Sequence, residues 1–269
     1  MNQEQRRDYL IRYLIEESRL ERREYADLQV PADLQIPKEE SGQKRLLRSL
    51  LNIRMPLPAS DRFFEIQDAY LKEEIRKKKI TKLSDLTPVQ NGLYLWQGDI
   101  TTLSLDAIVN AANSQLLGCF CPCHGCIDNA IHTFSGIQLR SACAKLMEEQ
   151  GREESVGKAK ITKGYNLPCR YVIHTVGPRI QGRLTDKDCK RLSSCYRSCL
   201  SLAEENKIKS IAFCCISTGE FHFPNDLAAD IAVRTVKEYR EQAHSEMEVV
   251  FNVFTNEDYQ IYQKRLGAD

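Results

Sequence analysis

Asn110 to Asp128 reads NAANSQLLGCFCPCHGCID and sets asparagines and an aspartate around a dense group of metal-seeking side chains. Four cysteines and one histidine fall between Cys119 and Cys126. Cytosolic proteins seldom carry disulfides, so such crowding reads first as a metal site. Cys119, His124 and Cys126 follow the spacing C-x4-H-x-C, with Gly118, Pro122 and Gly125 to let a short backbone curl around an ion. Thiolate together with imidazole favours zinc. Three protein ligands leave a coordination position open, the arrangement of catalytic sites. A fourth ligand, Cys121 or Cys123, would close the shell and reduce the ion to a staple for the loop.

Outward from this stretch, the chain of 269 residues has a hydrophobic share of 42% and a net charge of +1. Those values suit an ordinary soluble globule and give no electrostatic case for nucleic acid. The RKKK run at Arg76 to Lys79 fits the solvated last turn of a helix, where the dipole favours cations. The start, MNQEQRRDYL, lacks the apolar core of a signal peptide, and no run approaches the roughly 18 apolar residues of a membrane helix. A cytoplasmic location is expected, with no membrane partner.

Before about Tyr94 the pattern is helical. Tyr9, Leu10, Tyr13 and Leu14 recur at helix spacing, and Leu46, Leu47, Leu50 and Leu51 form a second stripe. Pro31, Pro37 and Gly42 punctuate the connection between them, and Ser60 caps a third helix running to about Lys79. Residues 1–90 therefore read as a helical extension packed on a main domain of residues 91–269. From Gly92 onward, strand segments appear at Leu93–Gln97, Ala107–Val109, Ala159–Thr162, Tyr171–Thr175, Ser210–Cys215 and Val249–Phe254. Helical patterns at Asn129–Glu149, Asp188–Glu205, Asp226–Tyr239 and Asp258–Arg265 separate most of them. That alternation predicts an α/β fold with a mostly parallel, doubly covered sheet, whose ligands gather outside the carboxyl ends of the strands. Cys195 and Cys199 follow the apolar stripe of their helix and read as core. The other scattered cysteines behave as small hydrophobes, and His132, His174 and His244 suit packing or surface roles.

Ile216 to Pro224, ISTGEFHFP, follows an apolar strand and precedes a helix. Ser217, Thr218 and Gly219 let backbone N–H groups face outward beside a helix N-terminus, which suits a diphosphate; a tight connection is the plainer reading. Asp99, in QGDIT at another strand end, offers an acceptor for an adenine amino group or a cap for the turn into Thr101.

Together, QGDIT at Gln97–Thr101, DAIVNAAN at Asp106–Asn113, IDNAIH at Ile127–His132, HTVGP at His174–Pro178 and ISTGEFHFP resemble the macrodomain family. The resemblance runs from about Leu93 to the C-terminus. It implies a three-layer α/β/α fold with a mixed, mostly parallel sheet and an ADP-ribose cleft above it. Hydrolase members usually join the second asparagine of NAAN to a valine-aspartate pair through glycines. Here the longer GCFCPCHGC insertion stands in their place, which looks like the zinc-containing branch, with its helical N-terminal extension and a Cys119, His124, Cys126 ligand set. Another departure is His222, where many members have glycine.

The resemblance implies a zinc-dependent hydrolase that removes ADP-ribose from a mono-ADP-ribosylated protein, with Zn2+ as cofactor. Asp128 would orient or deprotonate a water or help position the ribose, its plainer role being a helix N-cap; Asn113 would hold the distal ribose, and Asn110 would fix loop backbone. Asp99 and Ile100 would read adenine; Cys126 and Ile127 would contact the ligand through backbone. Ser217, Thr218, Gly219, Glu220 and Phe221 would wrap the phosphates and distal ribose. In the zinc branch the implied substrate is often a lipoyl carrier of glycine-cleavage type, modified by a sirtuin-type transferase. A non-catalytic ADP-ribose reader with a structural zinc is the competing reading.

Overall fold

A computed structural model describes residues 1–21 and 34–267 of the chain; Pro31, expected to punctuate the first connection, lies outside them. Three helices come first: α1 (Gln3–Glu21), α2 (Glu40–Ile53) and α3 (Asp61–Lys77). Their apolar stripes meet, Leu10 and Leu14 of α1 with Leu47 and Leu50 of α2 and Phe63 and Leu71 of α3, in a cluster that also takes in Ile137 from further along the chain. Ser60 starts α3 as its position implied, its hydroxyl accepting from Phe63 N. Arg76 and Lys77 occupy the last turn of α3, where the negative helix end receives them.

Glu74 ties the three helices together. Its carboxylate takes hydrogen bonds from Gln3 of α1 at 3.0 Å and Lys77 of α3 at 2.9 Å, and pairs with Lys44 of α2 at 2.9 Å. Burial works to raise its pKa, but these donors outweigh it and bring the value from 4.5 down to about 2. A carboxyl depressed in the fold adds stability that is present above its unfolded pKa and fades as pH falls toward the folded value. Glu74→Gln is expected to lower the unfolding free energy by about 1–2 kcal/mol near neutral pH, with the gap to the starting protein narrowing at about pH 3. Urea unfolding at the two pH values measures it, and a gap that stays constant would refute the linkage.

The rest of the chain runs β1 (Thr81–Lys82), β2 (Pro88–Gln90), β3 (Leu93–Gln97), β4 (Leu103–Ser104), β5 (Ala107–Ala112), α4 (Ile127–Ser135), α5 (Ile137–Gln150), β6 (Ala159–Lys163), β7 (Tyr171–Val176), α6 (Asp186–Glu205), β8 (Ser210–Phe213), α7 (Asn225–Ala243), β9 (Glu248–Val253) and α8 (Asn256–Leu266). Seven strands form one sheet in the order β2-β3-β9-β8-β5-β7-β6, and β1 pairs with β4 apart from it. The interior pairs are parallel and the edge strands β2 and β6 antiparallel, the mixed, mostly parallel sheet expected. Helices α4 and α5 pack together, as do α6, α7 and α8, so helices flank the sheet. Strands β5, β7, β8 and β9 are buried along nearly their whole length, as parallel strands covered on both faces must be.

Two expectations change. The single helix read over Asn129–Glu149 is two, broken at Gly136, whose φ of 94° lies in the left-handed region that favours glycine. The strand read as ending at Val109 continues to Ala112, because Asn110 finds partners inside the fold and need not terminate it. Parallel β3, β5, β7, β8 and β9 all end on one side, which brings Asp99, Asn113, Gly177, the Ser217 loop and Phe254 to the same end of the sheet.

Candidate active site and metal centre

The loop from Asn113 to Cys126 leaves the carboxyl end of β5 and feeds α4. Within it the donor atoms of Cys119, His124 and Cys126 lie within 4.8 Å of one another. A tetrahedral zinc with bonds of about 2.0–2.3 Å needs its donors roughly 3.3–3.8 Å apart, so no pair of the triad need close by more than about 1.5 Å. His124 Nδ1 is buried without a hydrogen-bond partner among the described residues, as a ligand nitrogen awaiting a cation would be. Burial, with the neighbouring Cys119 and Asp128 charges, pushes the Cys126 thiol up to about 12 against a hydrogen bond from Asn129 N, so metal binding there must release a proton. The residues fit a zinc ion. Neither Cys121 nor Cys123 joins the group. Cys121 is exposed, and the Cys123 thiol turns to the Arg45 carbonyl at 3.3 Å.

The helical extension braces this loop. Arg48 of α2 donates to His124 O at 2.9 Å and to Asn129 Oδ1 at 2.7 Å. Asn129, fully buried, donates in turn to Cys121 O at 3.0 Å. Asn52 accepts from Cys123 N at 2.9 Å and donates to Thr133 Oγ1 at 2.9 Å. Arg140 of α5 reaches Leu51 O and Arg54 O of the extension and Leu117 O of the loop, and its guanidinium lies 4.4 Å from the Phe120 ring centroid. Burial lowers Arg140 to about 10 against the opposing charge of Asp128, so it stays a cation at neutral pH. Gly118 sits so close to α4 that a Cβ there would lie 2.7 Å from the His132 ring.

Asp128 occupies the first turn of α4 and is buried; Cys126 is the cap of that helix, its sulfur accepting from Asn129 N at 3.4 Å. Asp128 Oδ1 accepts from Asn110 Nδ2 at 2.7 Å, and the same amide nitrogen lies 3.1 Å from His174 Nδ1. With Nδ1 accepting, His174 Nε2–H is free to donate to Thr162 Oγ1 at 2.9 Å, which settles the tautomer. Asp128 Oδ2 has no donor among the described residues. Burial raises the Asp128 carboxyl to about 6, opposed by the Asn110 bond and the Arg140 charge. His132 Nε2 approaches Oδ1 at 3.5 Å, but burial drives that imidazole well below its ordinary pKa, so the contact is with a neutral ring and is no ion pair.

Asn110, read as a holder of loop backbone, instead positions Asp128, and His174, read as packing, supports it. The structural signal was a polar residue in each of two apolar parallel strands, and the register sets Asn110 opposite His174. Asn113 is half-buried, and its own amide serves the loop, donating to Gly118 O at 3.0 Å and accepting from Gln115 N at 3.1 Å.

Along the same sheet end, Asp99 caps its turn, accepting from Thr101 N at 3.0 Å, while Oδ2 pairs with Lys78 at 2.9 Å. Burial opposes, but Thr101 and Lys78 hold its pKa below the usual range. Ile100 is buried beside it. Phe254, which follows β9 and is 76% exposed, was not singled out by its sequence context as a site residue. The Ser217–Phe223 loop is closed by Phe223 N to Ser217 O and His222 N to Gly219 O, each 2.9 Å, and is tied to the chain just beyond HTVGP by Ile180 N to Phe221 O at 2.8 Å. The amides of Thr218, Gly219, Glu220 and Phe221 have no acceptor among the described residues. Gly177 is required beneath the loop, since a Cβ there would fall 2.0 Å from Ser217 Oγ.

Residues 109–232 match the family described as Macro domain. A protein-ADP-ribose hydrolase of Treponema medium is 55% identical over 271 residues, covering 99% of this chain and 100% of its own. Another, of Staphylococcus aureus (strain MRSA252), is 49% identical over 261 residues, 96% of each chain. A Trypanosoma brucei macrodomain solved with ADP-ribose matches with a TM-score of 0.63 at 32% identity, covering 81% of this chain and 94% of its own. Likeness of this depth along the whole length, on the mixed sheet and loops just described, makes this chain a member of the macro domain family.

Proposed function

We propose that this chain is a zinc-dependent hydrolase that removes ADP-ribose from mono-ADP-ribosylated proteins. It is an ADP-ribosyl hydrolase by the company of its whole-length relatives. The observation that carries the zinc-dependent reading is the junction of loop and helix, where Cys119, His124 and Cys126 gather two residues from a buried Asp128 with one carboxylate oxygen free. When bound there, zinc supplies Lewis acidity toward an oxygen of the substrate. Asp128, fixed through Oδ1 by Asn110, presents Oδ2 to orient or deprotonate the attacking water. Asn113 lines the same loop for the distal ribose, and Cys126 and Ile127 offer backbone to it.

The outward amides of Thr218 to Phe221, with Ser217 beneath them and the N-terminus of α7 following, suit the diphosphate. Asp99 and the Ile100 amide would read adenine, and the exposed ring of Phe254 would offer it a stacking face. A lipoyl carrier of glycine-cleavage type as substrate, a sirtuin-type transferase as antagonist, and a reducing cytoplasm that keeps the thiols free complete the proposal. No helix among the described residues is long and apolar enough to cross a membrane.

The test is release of ADP-ribose from mono-ADP-ribosylated proteins of defined linkage, with and without chelator. Release that stops with chelator and returns with added zinc is expected. Binding of ADP-ribose with no release from any linkage would favour a reader module instead.

A further inference from the structure

The Ser217–Phe223 loop meets the metal-ligand loop at Glu220, whose Oε1 lies 3.4 Å from His124 Nε2. The opposite ring nitrogen, Nδ1, is the buried one without a partner among the described residues. An imidazole whose inner nitrogen lacks a donor while its outer nitrogen faces a carboxylate has the geometry of a metal-ligating histidine, which usually gives its second N–H to an acceptor of this kind.

We infer that Glu220 is a positioning residue for His124: standing 3.4 Å from Nε2, it needs only a small side-chain rotation to accept the Nε2–H, which would fix the tautomer that leaves the lone pair on Nδ1 and so aim the ring at the ion. The inference rests on the zinc reading above and shifts Glu220 from wrapping ADP-ribose to orienting a ligand. Glu220 is 68% exposed on its side chain, so the contact adds little to the stability of the fold; its effect falls on metal affinity. Because the same loop is proposed to cradle the diphosphate, seating of ADP-ribose and hold on the metal share this contact, and any coupling between them is reciprocal.

Zinc affinity is measured by chelator competition on reduced, metal-stripped protein, and ADP-ribose affinity by calorimetry on the same stripped protein. Glu220→Ala is expected to weaken zinc binding about 10–100-fold, with the thermal midpoint of the stripped protein unchanged and its ADP-ribose affinity, which draws on a backbone amide that alanine keeps, reduced far less than its zinc affinity. Glu220→Gln should lose less, because its amide oxygen still accepts the Nε2–H. Equal losses in the two variants would make the carboxylate a direct ligand and overturn the inference. A defect confined to ADP-ribose binding by the stripped Glu220→Ala protein would return the residue to ligand wrapping and also overturn it. Zinc held equally tightly by the starting protein and by Glu220→Ala sinks this inference alone, whereas a starting protein that binds no zinc sinks the metal reading first.

Discussion

Asp128→Ala is expected to keep ADP-ribose affinity within about tenfold of the starting protein while hydrolysis falls by about 10²–10⁴-fold, the range of a lost acid-base group. The asymmetry follows from where its oxygens go. Oδ1 is bound to Asn110 inside the fold, and only Oδ2 lacks a protein donor among the described residues. The unpaired amides of the Ser217 loop and the Asp99 turn do not touch Asp128, so most of the proposed binding surface survives the substitution. Alanine leaves the Asn110 amide with His174 as its remaining partner, a modest structural cost. Calorimetry with ADP-ribose and a single-turnover release assay separate the two effects. Equal loss of binding and turnover would assign Asp128 to ligand positioning or folding.

The second large effect is expected at Cys126. Cys126→Ser removes a thiolate from a three-donor set, so zinc affinity should fall by at least about 10³-fold and ADP-ribose release with it. Serine is the informative choice, because Cys126 also caps α4 through Asn129 N, and a hydroxyl can take over that bond. Helix start and fold are therefore spared, and an unchanged far-ultraviolet circular dichroism spectrum checks this. His124→Ala should behave alike without touching the cap. Metal analysis beside the release assay decides the outcome: a variant that loses zinc yet keeps full turnover would leave the ion no more than a staple.

The grouping of Cys119, His124 and Cys126 was legible because its members stand within eight residues of one another, where spacing alone constrains geometry. The alternation of strands and helices likewise declared the layered fold, since parallel strands buried on both faces read as continuous apolar runs. The short β1, β2 and β4 escaped notice because two or three residues carry no periodicity. The split between α4 and α5 was hidden because a lone glycine inside a helical pattern is usually tolerated, and its positive φ emerges only with the tertiary packing. Asn110 with His174, and Glu220 with His124, are contacts between distant segments, set by strand register in the first case and by loop approach in the second.

The brace from α2 has a consequence for how such a site can arise. A chain begun after Ile53 would strand the Asn129 amide, the His124 carbonyl and the Cys123 N–H without their partners Arg48 and Asn52. The cysteine-rich insertion is thus no portable cassette: transplanted into a macrodomain that lacks the leading helices, it would arrive without its scaffold, the bonds from Arg48 and Asn52.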